Sequence, residues 1–138
     1  MRFENPTNEE IRDILKNKKR IAVVGLSDNP MKTSYMVSSV MRDAGYEIIP
    51  VNPAVDEVFG IKAVKTLQDI EGHVDIVNVF RRSEYLPEVA KDTVAIGADV
   101  FWAQLGLAND EAYDYLKEHN VISIMDKCIK VEYARLAR

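Results

Sequence analysis

Continuous apolar runs alternate with apolar residues at helical spacing along this chain. The run IAVV at 21–24 is bounded by charged residues and by Gly25, which is the pattern of a central parallel strand covered on both faces. This strand is predicted over 20–25, and further strands are predicted at 46–51, 74–80, 99–103 and 121–125. Because helical segments or polar connections separate these strands, the order predicts an α/β fold with a mainly parallel sheet, right-handed crossovers and helices on both faces.

The helical segments carry start signals and apolar faces. Thr7 or Asn8 is predicted to cap a first helix, in which Glu10 supplies the acid of a capping box. The helix that follows the first strand has apolar residues at helical spacing, and we interpret its Met36 and Met41 as core residues.

Composition and charge are those of an ordinary soluble globular protein. The 138 residues are expected to form one domain over 1–138, with 47% apolar and 29% charged residues. A net charge of −4 gives no support for nucleic acid or membrane as a partner, so a small-molecule ligand is expected. The single cysteine excludes an internal disulfide, and no apolar run resembles a signal peptide or reaches about 18 residues. We therefore expect a cytoplasmic protein.

The loop at 25–34 has the chemistry of a phosphate site. A helix that begins at the end of this loop leaves its first backbone N–H groups without partners, at the positive end of the helix dipole. Gly25 would let a ligand approach the backbone. Ser27 and Ser34 offer hydroxyl groups, and Lys32 offers a mobile positive charge. The alternative is an ordinary turn followed by a helix cap, since neither GxGxxG nor GxxxxGK[ST] is present.

The end of the second predicted strand discriminates between kinds of nucleotide. In an NAD-binding domain, an Asp or Glu about twenty residues past the glycine loop accepts hydrogen bonds from the ribose. Here the strand runs into Asn52 and Pro53, and the next carboxylates are those of Asp56 and Glu57. A neutral amide tolerates a ribose that carries its own phosphate. The alternative interpretation is that Asn52 and Pro53 only open a loop.

Polar residues also follow the third and fourth predicted strands. Arg81 and Arg82 come directly after the third strand, and Gln104 and Gly106 come after the fourth. The carboxyl ends of parallel strands form the edge at which open α/β sheets bind ligands, so an arginine here is in position to reach a phosphate or a carbonyl group. A pair of solvated arginines is the alternative.

Other chemistry has little support in the sequence. His73 and His119 stand alone, without partners at metal-binding spacing, so no metal site is predicted. No GxSxG motif is present, and covalent hydrolysis is not indicated. Cys128 is interpreted as a buried core cysteine, with a reactive thiol at the start of the last helix as the alternative.

Five segments in a fixed order carry a resemblance to a known family. They are VVGLSDNPMKTSY, IPVNP, DIVNVFRRS, WAQLG and MDKCIKVE. Together they resemble the small stand-alone CoA-binding proteins, which are similar to the amino-terminal domain of the succinyl-CoA synthetase alpha subunit. The resemblance covers roughly residues 10–136. It implies a Rossmann-like, doubly wound domain with a five-stranded, mainly parallel sheet.

The resemblance also implies a set of ligand-binding residues. The phosphates of coenzyme A would be held by Gly25, Ser27, Pro30, Lys32 and Ser34, the adenosine would lie by Asn52 and Pro53, and the crevice would be lined by Phe80, Arg81 and Gln104. The synthetase carries its phosphorylated histidine in a second domain, for which this sequence has no matching segment. No catalytic residue is therefore predicted.

The predicted function is binding of coenzyme A or an acyl-CoA through a glycine-containing phosphate loop. The 3′-phosphate of coenzyme A brings about −1.5 to −2 charges, which Lys32 or an arginine could pair with. Two alternatives stay open: an NAD(P)-dependent oxidoreductase-like protein, and a CoA-linked redox or regulatory module in which Cys128 forms a mixed disulfide. A homodimer is compatible with a domain of this kind, but no interface is predicted.

Overall fold

The computed structural model describes residues 2–138, which form an α/β fold. The helices are α1 (Asn8–Asn17), α2 (Thr33–Asp43), α3 (Leu86–Ala95), α4 (Asp110–Glu118) and α5 (Ile129–Glu132), and α5 continues as a π-helical turn at Tyr133–Ala137. The strands are β1 (Arg20–Val24), β2 (Glu47–Val51), β3 (Glu57–Val58), β4 (Ile61–Lys62), β5 (Ile76–Val79), β6 (Val100–Ala103) and β7 (Ile122–Ile124). The five strands predicted from the apolar runs are all present, each slightly shorter than predicted.

The main sheet within residues 2–138 is parallel throughout, with the strand order β2-β1-β5-β6-β7. The chain passes from β1 outward to β2 and then returns to β5 on the other side of β1. This reversal places the topological switch point between β1 and β5, where doubly wound sheets form a crevice at the carboxyl ends of the strands. The predicted Rossmann-like, doubly wound sheet of five strands is confirmed.

Apolar side chains pack on both faces of the sheet. On one face, Ile11 of α1 and Val37 of α2 pack in the same layer as Ile21 of β1. On the other face, Leu86 of α3 packs in the same layer as Ala22, the next residue of β1. Because neighbouring strand residues point to opposite faces and both faces are covered, β1 reads as a continuous apolar run.

The buried stripe of α2 differs from the predicted one. Met41 is buried as predicted, but Met36 is 52% exposed, so its interpretation as a core residue is wrong. The two methionines are five positions apart, which is about 140° around an α-helix, and a narrow stripe cannot include both. The stripe instead contains Ser34, Val37, Ser38 and Met41.

The connection after β2 forms an element that the apolar pattern did not predict. β3 and β4 pair as a small antiparallel ribbon, and a turn at Phe59 and Gly60 joins them with φ values of 59° and 75°. After the ribbon, Val64 pairs in parallel with Val51 of β2. The segment is thereby held against the carboxyl end of β2, and a 3₁₀ turn at Leu67–Asp69 follows it.

The contribution of Tyr46 to the free energy of unfolding is expected to depend on pH in the alkaline range. Its hydroxyl donates a hydrogen bond to the backbone carbonyl of Leu15, and burial, together with nearby Tyr133, raises the pKa of Tyr46 to about 12. The tyrosine of the unfolded chain loses its proton first, near its ordinary pKa of 10.0. The contribution of Tyr46 to stability is therefore complete below about pH 10 and is lost as the pH rises toward 12.

We expect Tyr46→Phe to reduce the free energy of unfolding at pH 8 by about 1 kcal/mol, because the Leu15 carbonyl loses its buried donor. The difference between the wild-type protein and the variant should shrink between pH 10 and pH 11.5. Urea unfolding of both proteins across this range measures it. A difference that stays constant with pH would contradict this assignment.

Candidate functional site

The carboxyl ends of β1, β2, β5 and β6 meet at one edge of the sheet, which we call the carboxyl edge. Gly25 follows β1, Asn52 follows β2, Phe80 and Arg81 follow β5, and Gln104 follows β6. The structure therefore brings together predicted site residues that lie far apart in the sequence.

Two open cavities lie along this edge. The β2-side cavity, of about 420 Å³, is lined by Val24, Gly25, Val51, Asn52, Pro53, Lys65, Thr66, Leu67, Arg81, Glu88, Val89 and Asp92. The β6-side cavity, of about 450 Å³, is lined by Thr33, Phe80, Arg81, Arg82, Gln104, Leu105, Leu107 and Cys128. Arg81 belongs to the walls of both cavities, and each cavity has the volume of an ordinary small-molecule site.

Gly25 is required by the close approach of backbone segments at the start of the loop. Its φ is +87°, and its N–H donates a 2.8 Å hydrogen bond to the carbonyl of Val51. A Cβ atom at this position would lie 2.5 Å from the carbonyl oxygen of Phe80. Only glycine accommodates both the left-handed conformation and this contact. The absence of a side chain also leaves backbone exposed to the β2-side cavity.

The rest of the loop is held by its own side chains. The N–H of Ser27 donates to Oγ of Ser34 at 3.1 Å, and the N–H of Asn29 donates to Oγ of Ser27 at 3.0 Å. α2 begins at Thr33, at the end of the loop as predicted, and its N-cap residue Lys32 makes no side-chain cap. The first N–H groups of α2 therefore remain for another acceptor.

Not every predicted loop residue reaches a cavity wall. Gly25 lines the β2-side cavity, whereas Ser27, Pro30, Lys32 and Ser34 line neither cavity among the described residues. Ser34 is buried and holds the loop through its hydroxyl group, while Pro30 and Lys32 are exposed at the tip.

The Asn52 side chain ties the second strand to the loop. Its Nδ2 donates to the carbonyl of Leu26 at 3.1 Å, and its Oδ1 accepts a 2.9 Å hydrogen bond from the N–H of Ala54. Both ends of the amide are thus engaged within the protein, and Asn52 opens its loop as in the simpler interpretation. It also lines the β2-side cavity beside exposed Pro53, so it shapes the cavity wall.

Gln104 is a structural partner at the edge of the β6-side cavity. The side chain is buried, its Nε2 donates to Oδ1 of Asn78, and its Oε1 accepts a 3.2 Å hydrogen bond from the N–H of Ile129. One amide thereby joins β5, β6 and the start of α5. This bonding also explains why Asn78 is buried in the middle of an otherwise apolar strand.

The two arginines after β5 have different surroundings. Nε of Arg82 lies 3.5 Å from a carboxylate oxygen of Glu84. The Arg81 guanidinium lies 4.5 Å from the ring centroid of Tyr85, and no carboxylate within residues 2–138 forms an ion pair with it. Arg81 is therefore the arginine whose charge is available to a ligand between the two cavities.

Cys128 differs from its interpretation as a fully buried core residue. It is a free, partly exposed cysteine at the N-cap of α5, and it lines the β6-side cavity. The hydrogen bond between the Trp102 indole and the carbonyl of neighbouring Lys127, at 2.9 Å, keeps this turn against the sheet.

His73, which has no partner at metal-binding spacing along the sequence, has two acidic neighbours in the structure. Its Nε2 lies 3.0 Å from Asp99 and 3.6 Å from Asp75, at the amino end of the sheet and away from both cavities. The strand order would have indicated this contact, because Asp75 and Asp99 precede the neighbouring parallel strands β5 and β6. Nζ of Lys18 lies 2.9 Å from Asp99. Burial would raise the pKa of Asp99, but the bonds from His73 and Lys18 lower it below its ordinary value.

Sequence reasoning also missed Lys65, Glu88 and Asp92, which line the β2-side cavity. The two acids sit on one face of α3, and Lys65 lies in the connection after the ribbon. No local motif marks them, because the packing of α3 and of the ribbon brings them together.

Within residues 2–138, no helix has both the length and the apolar character that crossing a bilayer requires.

Comparisons with known proteins agree with this architecture. Residues 19–134 match the family model described as a CoA binding domain. The uncharacterized protein YneT of Bacillus subtilis (strain 168) is 61% identical over 132 residues, which cover 96% of this chain and 98% of YneT. The solved structure of cell-free ID.343 from Thermus thermophilus has a TM-score of 0.91 and 34% identity, and the match covers 95% of this chain and 99% of that one.

One longer protein matches over part of this chain. The ADP-forming acetate–CoA ligase of Methanocaldococcus jannaschii is 31% identical over 74 residues, which are 54% of this chain but 10% of the ligase. The match therefore concerns a small part of that enzyme.

Proposed function

This chain belongs to the family of CoA binding domains, and on that premise we propose that it binds coenzyme A or an acyl-CoA along the carboxyl edge. The observation that carries the proposal is the pair of cavities that meet at Arg81, beside the switch point between β1 and β5. Coenzyme A is an elongated ligand, with a phosphorylated adenosine at one end and a thiol at the other. An elongated site with two compartments suits it.

In this proposal each part of the ligand has its own place. The adenosine occupies the β2-side cavity by Asn52 and Pro53, and the pantetheine arm with its thiol occupies the β6-side cavity by Phe80 and Gln104. The two linked phosphates lie between them, over the loop that starts at Gly25. The full set of proposed binding residues is Gly25, Ser27, Pro30, Lys32, Ser34, Asn52, Pro53, Phe80, Arg81 and Gln104.

The surroundings of the loop support phosphate binding there. α2 has 11 residues, and its uncapped first turn offers backbone N–H groups at the positive end of the helix dipole. Lys32, the N-cap residue of α2, and Arg81, which lines both cavities, are exposed cations. Ser27 and Ser34 act through the loop, because their hydroxyl groups accept hydrogen bonds that hold its shape. We further propose that the protein binds its ligand without catalytic residues of its own.

Calorimetric titration of ligand-stripped protein tests the proposal. Coenzyme A and NAD are compared at the same salt concentration, and coenzyme A is expected to bind at least about tenfold more tightly, which is about 1.4 kcal/mol. Tighter binding of NAD would overturn the proposal and favour a dinucleotide-dependent protein. Absence of heat with both ligands, confirmed by a thermal-shift assay, would also overturn it.

Arg81 gives a residue-level prediction for the same site. Arg81→Met is expected to weaken coenzyme A binding by about tenfold, because it removes one charge-assisted contact to phosphate while keeping an aliphatic side chain. Lys91→Met is the matched control, since Lys91 is an exposed cation on α3 that lines neither cavity. Titration calorimetry measures both. Equal affinities for the two variants would contradict a phosphate contact at Arg81.

A further inference from the structure

The backbone around Lys65 is fixed from both sides. The N–H of Val64 donates to the carbonyl of Pro50 at 3.0 Å, and the carbonyl of Val64 accepts from the N–H of Asn52 at 2.9 Å. After Lys65, the N–H and hydroxyl of Thr66 both donate to the carboxylate of Asp69, at 3.2 and 2.9 Å. The hydrogen bonds of Val64 and Thr66 therefore hold the backbone of Lys65 next to the carboxyl end of β2.

Two cations, Lys65 and Arg81, and two acids, Glu88 and Asp92, line the β2-side cavity. Lys65 follows Val64, which pairs with the end of β2 just before Asn52, whereas the two acids lie on α3. Asp92 is engaged by the side-chain amide of Gln68 at 2.9 Å. Within residues 2–138 no carboxylate forms an ion pair with Lys65, so its charge is available to a ligand. A phosphate in this cavity would be attracted to Lys65 and repelled by the carboxylates of Glu88 and Asp92.

The end of β2 is where a doubly wound domain meets the ribose of a bound nucleotide. An acid there accepts bonds from free ribose hydroxyls, while a nearby basic side chain accommodates a ribose phosphate. In this chain the position holds the neutral Asn52, whose amide is already occupied by Leu26 and Ala54. The basic side chain beside it is Lys65. The sequence offered Lys32 or an arginine as the partner of this phosphate; Lys32 does not line the β2-side cavity, whereas Arg81 does.

From these observations we infer that Lys65 binds the 3′-phosphate on the ribose of coenzyme A. The inference rests on the proposed function and adds the residue that selects among related ligands. Lys65 forms an ion pair with the phosphate monoester at the adenosine end, and Arg81 binds the two linked phosphates between the cavities. Lys65 thus distinguishes coenzyme A from nucleotides whose ribose carries no phosphate.

Two ligands and two variants test this assignment. Coenzyme A and 3′-dephospho-CoA are titrated into the wild-type protein, Lys65→Met and Lys62→Met. Lys62 is the matched control because it is an exposed lysine on β4 that lies opposite Glu57 in the ribbon and does not line the β2-side cavity. Both lysines are exposed, so neither variant is expected to change the thermal midpoint of unfolding.

The expected result is a preference of the wild-type protein for coenzyme A over 3′-dephospho-CoA of about tenfold or more. Lys65→Met should reduce this preference to about twofold and leave the affinity for 3′-dephospho-CoA unchanged, while Lys62→Met keeps the full preference. A full preference in Lys65→Met would overturn the role of Lys65 but leave the proposed function intact. Equal weakening of both ligands would also overturn it, and failure of the wild-type protein to bind either ligand would overturn both proposals.

Discussion

Gly25→Ala is expected to lower the free energy of unfolding by about 2–6 kcal/mol. A residue with a side chain at φ +87° costs about 1–3 kcal/mol, and forcing a methyl group into a packed site costs about 1–3 kcal/mol more. The group that the methyl meets is the backbone carbonyl of Phe80, at 2.5 Å, which cannot turn aside as a flexible side chain would. Any relaxation must move β5 away from β1 at the switch point. Coenzyme A binding should therefore be lost as well.

Chemical denaturation at pH 7 measures the effect, and Gly97→Ala is its control. Gly97 also has a positive φ, of 71°, but a Cβ there meets nothing within 4 Å. Its replacement should cost about 1 kcal/mol through backbone strain alone. If Gly25→Ala were no more destabilising than Gly97→Ala, the close approach of Gly25 to Phe80 would not be a constraint on this fold.

Gln104→Leu is expected to destabilise the protein by about 3 kcal/mol. The substitution conserves approximate volume but leaves Oδ1 of Asn78 and the N–H of Ile129 without their partner. Each buried polar group that loses its hydrogen bond costs about 1–3 kcal/mol. Because Ile129 begins α5, the end of this helix should loosen, and hydrogen exchange of its amides should accelerate.

The matched control for this change is Gln68→Leu. Gln68 also uses its amide for a side-chain hydrogen bond, to Asp92 at 2.9 Å, but it is exposed and water replaces the lost partner. Its substitution should change the free energy of unfolding by less than about 1 kcal/mol. Urea unfolding of both variants gives the comparison. A loss at Gln104 no larger than that at Gln68 would show that the buried amide does not link β5, β6 and α5.

Local signals predicted much of the fold. The capping box of Thr7 and Glu10 is present as expected, because it forms within one helical turn. The apolar run of β1 identified a strand covered on both faces, since burial on both faces leaves no polar position. These features depend on residues close in sequence.

The features that the sequence did not reveal depend on packing between distant segments. Met36 is exposed because the neighbours of α2 cover only a narrow stripe of that helix. His73 meets Asp75 and Asp99 only because β5 and β6 are adjacent. Lys65 lies at the carboxyl edge because Val64 pairs with Val51, and no local motif predicts this pairing. Candidate site residues at strand ends were predictable, whereas those after the ribbon and on α3 were not.

Amide NMR during titration with coenzyme A reports where the ligand lies on the protein. We expect the largest chemical-shift changes along the carboxyl edge, at amides such as those of Gly25, Asn52, Lys65 and Leu105, with both cavities affected at the same ligand concentration. Amides of Asp75 and Asp99, at the opposite end of the sheet, should be nearly unchanged. The largest changes at that opposite end, or a spectrum unaltered by millimolar coenzyme A, would contradict the account.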